Sequence, residues 1–379
     1  MWSSIRAMVR KDLTITRRSP TFVIITVLVP LVFVTLYALL VKVSTTQPVV
    51  VAQEGEGPHT ARLVEVLRTM RNTDGELFEI RTTDPREARE MFDAGEVGAV
   101  LTIPRDFDQR VSAGQPAQLP LRVFNINADG TKNFELRAEH AVREFAAGSP
   151  PSGGVALTSV NETMHFDQDM RTSAYLGTAL LMFAVLYASM VNTGTLVARE
   201  WEERTAKPLV LSPIGNTPFL TGKWISASVQ TLIGVVLVLA GLHWLLDFPA
   251  LSLGPRSWLG LLLLFCYGSA LGSLLGVTLR RSLPLVPLCV VLAITHFFLN
   301  GYESYMRGFA HGGAIEWLWQ ATHWWPVAGL TQQLRLDATG LGDGGTGWGA
   351  LAGTAGIAVL LTAVAAIRMR RQLRFTQGQ

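Results

Sequence analysis

Hydrophobic and polar positions are segregated along this chain on the scale of whole helices. Six stretches, 21–41, 174–197, 224–246, 257–279, 282–302 and 347–367, contain no Asp, Glu, Lys or Arg, and each reaches the roughly 20 residues needed to cross a bilayer. Backbone in hydrocarbon has to satisfy its own hydrogen bonds, so the pattern predicts six transmembrane helices. The first stretch is too long for the apolar part of a signal peptide, and Val41, Lys42, Val43 and Ser44 form no small-x-small cleavage site, so it reads as a retained span. Residues 42–173 follow a different pattern. Short β-prone runs at 49–52, 78–81, 98–103 and 119–126 alternate with helical periodicity at 60–70, 85–94 and 132–147, which predicts a small α/β domain. The Gly, Ser and Pro of 148–154 mark a linker or exposed loop, after which 155–171 leads back to the membrane.

Composition agrees with this division. Of the 379 residues 49% are hydrophobic and 16% charged, against about a quarter charged in soluble domains. The signs are unevenly placed: 44–173 holds 13 Lys/Arg and 20 Asp/Glu, a net of −7, and the remainder 19 and 9, a net of +10. The basic excess therefore belongs to the membrane-flanking parts, and nucleic acid is not the implied partner. With the N-terminus inside, the cytoplasmic flanks carry 15 Lys/Arg and the short outer connections only Lys42, Arg256, Arg307 and Arg335. The positive-inside rule then places both termini in the cytoplasm and the acidic insert outside. The expected fold class is a polytopic α-helical membrane protein of six transmembrane helices with an inserted extracytoplasmic α/β domain. Its parts are a cytoplasmic interfacial helix (1–20), the first span (21–41), the α/β domain (42–173), a five-helix transmembrane domain (174–367) and a basic tail (368–379).

Two inner segments carry information. In 1–20, Ile5, Met8, Val9, Leu13 and Thr16 fall at helical spacing among Arg6, Arg10, Lys11 and Arg17, the pattern of a helix lying in the headgroup layer with its cations toward anionic lipid. After the second span, 199–213 is dense in both charge signs and returns to apolar character before Pro213. It reads either as a solvated loop or as a docking segment that passes force from a soluble partner. Glu200, Glu202 and Glu203 follow the span so closely that the expectation puts all three on the membrane surface, open to such a partner.

Several chemistries are disfavoured. No phosphate-cradling loop is present: Lys223 in Gly222-Lys223-Trp224 lacks both the upstream glycine spacing and the following Ser/Thr. The spans contain no Asp, Glu, Lys or Arg, whereas proton-coupled carriers place ionisable groups at mid-membrane. Cys266 and Cys289 lie inside apolar runs, the seven His form no His-Glu-x-x-His, and no metal site or catalytic residue is assigned. Gly268, Gly272 and Gly276 read as a close-packing face. Trp317, Trp319, Trp324 and Trp325 form an aromatic belt expected at the outer interface. Near it, His296, Asn300 and Glu303 are candidates to line an exit path, solvated positions being the plainer reading.

The ordered set of motifs resembles the permease subunit of a type-2 ATP-binding-cassette (ABC) exporter. Arg199, Glu200, Glu202, Thr205, Leu209, Ser212 and Pro213 fall in step with that family's charged segment after the second span, with Arg204 where Gly is usual and Lys207 where an acid is usual. Arg17, Arg18, Ser19 and Pro20 are similar to the family's basic approach to the first span, and Ile103, Pro104, Asp106 and Phe107 to a strand end in its external domain. Trp325 and Pro326, followed by Leu334 and Arg335, are similar to its region before the last span. The resemblance implies a permease without its own ATPase site, exporting an amphipathic drug-like or lipid-like substrate. Arg199, Glu200, Glu202, Glu203, Thr205, Leu209, Ser212 and Pro213 would couple it to two copies of a separate ATPase. It also implies ATP-Mg bound to that ATPase, no cofactor in this chain, and a second permease chain as homodimer or paralogous heterodimer in the bacterial inner membrane. The alternative is a receptor or sensor with an extracytoplasmic ligand-binding domain.

Overall fold

The computed structural model describes the chain apart from residues 1, 41–46, 73–74, 95, 126–127, 148–154, 165–171, 206–215, 251–252, 303–312, 323, 340–346 and 376–379. It divides into two units: Met1–Leu40, Leu176–Gly301 and Thr322–Gln379 form the first, and Val41–Tyr175 with Tyr302–Ala321 the second.

The second unit is built on a sheet. Strands β1 (Gln47–Gln53), β4 (Phe78–Ile80), β5 (Ala99–Ile103), β6 (Ala117–Asn125) and β7 (Val155–Met164) assemble in the order β4-β1-β5-β6-β7, and β2 (Arg71–Asn72) and β3 (Gly75–Glu76) form a separate small hairpin. β1 runs parallel to β4 and β5, β5 antiparallel to β6, and β6 parallel to β7. Alternation along β1 sends Val49 and Val51 to one face and Val50 and Ala52 to the other. On the first face lie α3 (Pro58–Thr69), α5 (Phe107–Ser112) and α6 (Ala128–Ala147), which contribute Leu63, Phe107 and Phe145; on the second, α4 (Pro85–Asp93) contributes Ala88 and Phe92. The helices start where their chemistry allows. Pro85 occupies the first turn of α4 and Asp84 accepts from the N–H groups of Arg86 and Glu87 at 2.9 Å, while Asp108 of α5 accepts from the N–H groups of His59 and Thr60 at the start of α3. The Ile103–Phe107 motif is the strand end that turns Phe107 into the core, its ring 5.9 Å from that of Phe145.

The first unit is helical: α1 (Trp2–Arg18), α2 (Thr21–Leu40), α7 (Thr172–Glu202), α8 (Asn216–Leu246), α9 (Pro255–Leu279), α10 (Leu285–Phe297), α12 (Pro326–Thr339) and α13 (Gly347–Phe375), with α11 (Gly313–Thr322) preceding α12 mainly in the other unit. Among the described residues five helices, α2, α7, α8, α9 and α13, are long and apolar enough to span a membrane. The sixth expected span, 282–302, is not one of them. Its apolar helix runs Leu285–Asn300, about 24 Å at 1.5 Å per residue against a hydrocarbon core of about 30 Å. Ser282, Leu283 and Pro284 are spent on a turn, and the far end widens into a π-helical turn, Phe298–Tyr302.

α7 is the axis of this unit, buried at every residue from Leu180 to Ala198. Small and polar residues permit its close contacts. The Asn192 amide donates to Thr231 of α8 and the Thr193 hydroxyl to Ser269 of α9, both at 3.1 Å, while Phe183 meets Phe33 of α2 and Phe297 of α10 at 4.9 and 6.0 Å. Gly268, Gly272 and Gly276 of α9 lie against α7 so closely that a Cβ at any of them would strike it; at Gly276 it would come within 2.6 Å of the Gly194 carbonyl oxygen.

Candidate functional site

At one end of the first unit the last turn of α7 meets α1 and the first turns of α8. Glu200 stands two residues from the end of α7 and Lys223 seven residues after the start of α8. Glu200 is an anion in the last turn of its helix, the negative end, so it gains from facing the Lys223 cation. The Lys223 ammonium donates to Glu200 Oε1 at 2.5 Å and to Asp12 Oδ1 of α1 at 2.8 Å, and Lys11 donates to both Glu200 oxygens at 2.9 and 3.0 Å. The Thr205 hydroxyl donates to Glu200 Oε2. Lys223 is 1% exposed and Asp12 and Glu200 2%. Two cations and two anions thus balance in a closed cluster, in which Asp12 Oδ2 has no hydrogen-bond partner. Burial pushes the Asp12 carboxyl above its ordinary range, against the pull of the neighbouring Lys223 ammonium.

Apolar packing surrounds the charges. Met8, Val197, Phe219, Leu220, Val277 and Met369 form one cluster, flanked by Trp201, that brings together α1, α7, α8, α9 and α13. α1 buries Ile5, Met8 and Asp12, and Gly222 lets it approach α8, since a Cβ there would lie 2.8 Å from the Met8 sulfur. The Gln230 amide donates to Thr16 at 2.8 Å.

The expected coupling residues are divided by this geometry. Glu200 faces inward and is not on the surface, which corrects the expectation that all three glutamates are open to a partner; the Lys223 and Lys11 ammoniums draw it into the helix junction. Glu202 accepts from the N–H and hydroxyl of Ser282, both at 2.7 Å, tying α7 to the connection between α9 and α10. The Arg199 guanidinium lies 5.1 Å over the Phe22 ring of α2. Glu203 and Arg204 are exposed. Leu209, Ser212 and Pro213 lie outside the described residues. Arg204, where the family resemblance has Gly, adopts φ +56°, the left-handed conformation that a Cβ disfavours by about 1–2 kcal/mol. Arg204→Gly is therefore expected to raise thermal stability by a few degrees, read as the melting midpoint of the purified protein.

Sequence reasoning missed Asp12, Lys11 and Lys223 as members of this site. Lys223 had one signal, a lone cation at the start of an apolar run, but it reads equally well as a flank of the positive-inside rule.

The proposed exit-path residues lie elsewhere. His296 is buried with both ring nitrogens engaged: the Leu292 carbonyl at 2.7 Å can only accept, so Nδ1 carries the proton, and Nε2 accepts from the Tyr267 hydroxyl at 2.7 Å. Trp325 approaches the ring edge-on at 6.3 Å. Asn300 sits in the π turn, 3% exposed, with Oδ1 lacking a hydrogen-bond partner. Glu303 is outside the described residues.

Comparison with known proteins gives this arrangement a context. The chain is similar to the probable multidrug ABC transporter permease YbhR of Escherichia coli, 22% identical over 254 residues, 66% of this chain and 67% of that protein. It is similar to the inner membrane transport permease YhhJ of the same organism, 25% identical over 230 residues, 57% and 58% of the two chains. The ABC transporter permease protein NatB of Bacillus subtilis is 21% identical over 164 residues, 40% and 42%. The family model described as ABC-2 family transporter protein matches residues 20–366, taking in the apolar helices, the sheet and, of the charged junction, Glu200 and Lys223. This multi-pass membrane chain belongs to the ABC-2 family of transporter permeases.

Proposed function

We propose that this chain is the membrane-spanning subunit of an ATP-driven exporter in the bacterial inner membrane, powered by a separate ATPase that docks where α7 ends. Two permease chains, identical or paralogous, and two ATPase copies carrying ATP-Mg make up the transporter. With α10 and its π turn, Leu285–Tyr302, counted as a short sixth crossing, the end holding Asp12, Glu200 and Lys223 faces the cytoplasm with both termini, and the sheet unit lies outside, in keeping with the Lys/Arg asymmetry. The substrate is an amphipathic drug-like or lipid-like molecule, in keeping with the apolar spans and with the multidrug wording attached to YbhR.

The observation that carries this reading is the buried cluster joining α1, α7 and α8. A partner pressing on exposed Glu203 and Arg204 displaces α7, and because Glu200 is held by Lys223 and Lys11 while Glu202 is held at Ser282, α1, α8 and the start of α10 move with it. The test uses the two exposed residues and leaves the cluster intact. Glu203→Lys together with Arg204→Glu, in the tagged chain purified from its native membrane, is expected to weaken co-purification of the ATPase about tenfold, the scale of two exposed charge contacts, with protein abundance unchanged. Undiminished ATPase capture and export would show that the partner does not dock at this segment.

A further inference from the structure

The first unit carries a groove of about 810 Å³ that shares Leu220 with the apolar packing described above but none of its charged residues. Leu220 and Trp224 of α8 form one wall, Cys266 of α9 the floor with Leu262 toward the mouth, and Ala358 and Arg370 of α13 the other wall. The groove follows from the packing. α13 lies along the length of α9, whereas α8 touches α13 at few residues, and Ala355 and Ala358 are too small to fill the wedge left between them. From Ala355 to Arg370 it extends about 22 Å along α13, more than the ~15 Å depth of one leaflet's hydrocarbon. Its mouth faces outward, with Leu262 57% and Val359 69% exposed. The lining is mostly apolar, with the hydroxyls of Thr221, Ser228 and Thr362 along it, and its one charged residue, Arg370, stands toward the end that holds Met8 and Met369.

We propose that this groove binds one anionic phospholipid of the adjacent leaflet, its acyl chain along Ala355, Ala358 and Trp224 and its phosphate on the Arg370 guanidinium. Charge complementarity selects this occupant over a second copy of the chain. The same end carries Arg199, Arg280, Arg281, Arg368 and Arg371, so a second copy seated in register would bring its own cations against Arg370, whereas a phosphate neutralises it. The inference needs only the membrane setting of the helices and is independent of substrate, ATPase and orientation.

The test is quenching of Trp224 fluorescence, taken as the difference between the full chain and its Trp224→Phe variant, in vesicles containing either phosphatidylglycerol or phosphatidylcholine brominated on the acyl chains. The expected result is about a fivefold preference for phosphatidylglycerol, the scale of one cation's attraction to an anionic lipid. Arg370→Glu should abolish the preference. Arg371→Glu, also exposed but outside the groove, should leave most of it, which separates a seated headgroup from the general attraction of a basic surface. Both substitutions are at exposed positions, so folding is preserved. Equal quenching by the two lipids, or equal losses from Arg370→Glu and Arg371→Glu, would overturn the proposal. So would a Trp224 that neither lipid quenches while a cysteine at Val359 cross-links two copies.

Discussion

Lys223→Met is expected to lower the melting midpoint of the detergent-solubilised protein by on the order of 10 °C, the equivalent of about 3–5 kcal/mol lost when one partner of a buried ion cluster is removed. Methionine fills nearly the same volume, so the loss is electrostatic. Asp12 and Glu200 are then left as two buried carboxylates with only Lys11, itself 36% exposed, to compensate them. Asp12→Asn in the same assay is expected to cost less than half as much. Its carboxylate is already poorly compensated, as the raised pKa shows, and Glu200 still neutralises Lys223. The sign with pH follows. A carboxyl whose folded pKa is raised favours the folded state most when protonated, so the wild type should gain on Asp12→Asn as pH falls from neutral through the Asp12 pKa. A Lys223→Met protein that melts with the wild type would show that the cluster contributes nothing to the junction.

Gly272→Leu is the second large effect. A Cβ at Gly272 would run into the main-chain carbonyl of Met190, and neither helix can yield cheaply. The contact is backbone on α7, and the next turns of α9 are pinned the same way at Gly268 and Gly276. Leucine has to separate α7 from α9, breaking the Thr193–Ser269 hydrogen bond and opening the centre of the unit. Overpacking in cores costs about 1–3 kcal/mol and at times more; against main chain the upper end is expected, seen as loss of the monodisperse peak in gel filtration and a sharply reduced membrane yield. Gly356→Ala on α13, where no atom lies within 4 Å of the new Cβ, is the control and should change the melting midpoint by no more than a few degrees. If Gly272→Leu behaves like that control, α7 and α9 are not in the contact described here.

These two sites show what was legible in the sequence. The glycine face could be read from spacing alone, because small residues at i, i+4 and i+8 on one apolar helix have few purposes other than close approach. The strands β1, β4, β5 and β6 were legible in the same way, from short β-branched runs bounded by turn residues. β7 was not, because Val155–Met164 mixes polar residues into its run and follows a Gly- and Ser-rich stretch, and only its pairing with β6 makes it a strand. The expected span at 282–302 is matched by a shorter apolar helix, Leu285–Asn300, because counting apolar residues cannot tell helix from turn at Ser282, Leu283 and Pro284. The charge cluster was the least legible feature. Lys223 and Asp12 are 211 positions apart and Lys11 and Glu200 189, and each taken singly looks like an ordinary flank of a span. Their partnership exists only once α1 has packed on α8, a long-range event with no local signature. The left-handed backbone at Arg204 was half legible: the family pattern has Gly at this position, and the structure supplies the reason.

The complete enclosure of α7 limits where anything outside this chain can touch it. With every residue from Leu180 to Ala198 already covered by its own chain, this helix has no side left over for a neighbouring copy or for cargo, and behaves as a shaft gripped along its length. Single cysteines placed on it should stay silent to lipid-soluble thiol reagents and to cross-linkers, while those on α2, α8 and α13, which expose Leu28, Leu232 and Leu360, should react. The wall of any passage formed between two copies is thus drawn from the peripheral helices, and a push at Glu203, if the proposed partner docks there, would reach that wall second-hand, through the sleeve of helices around the shaft.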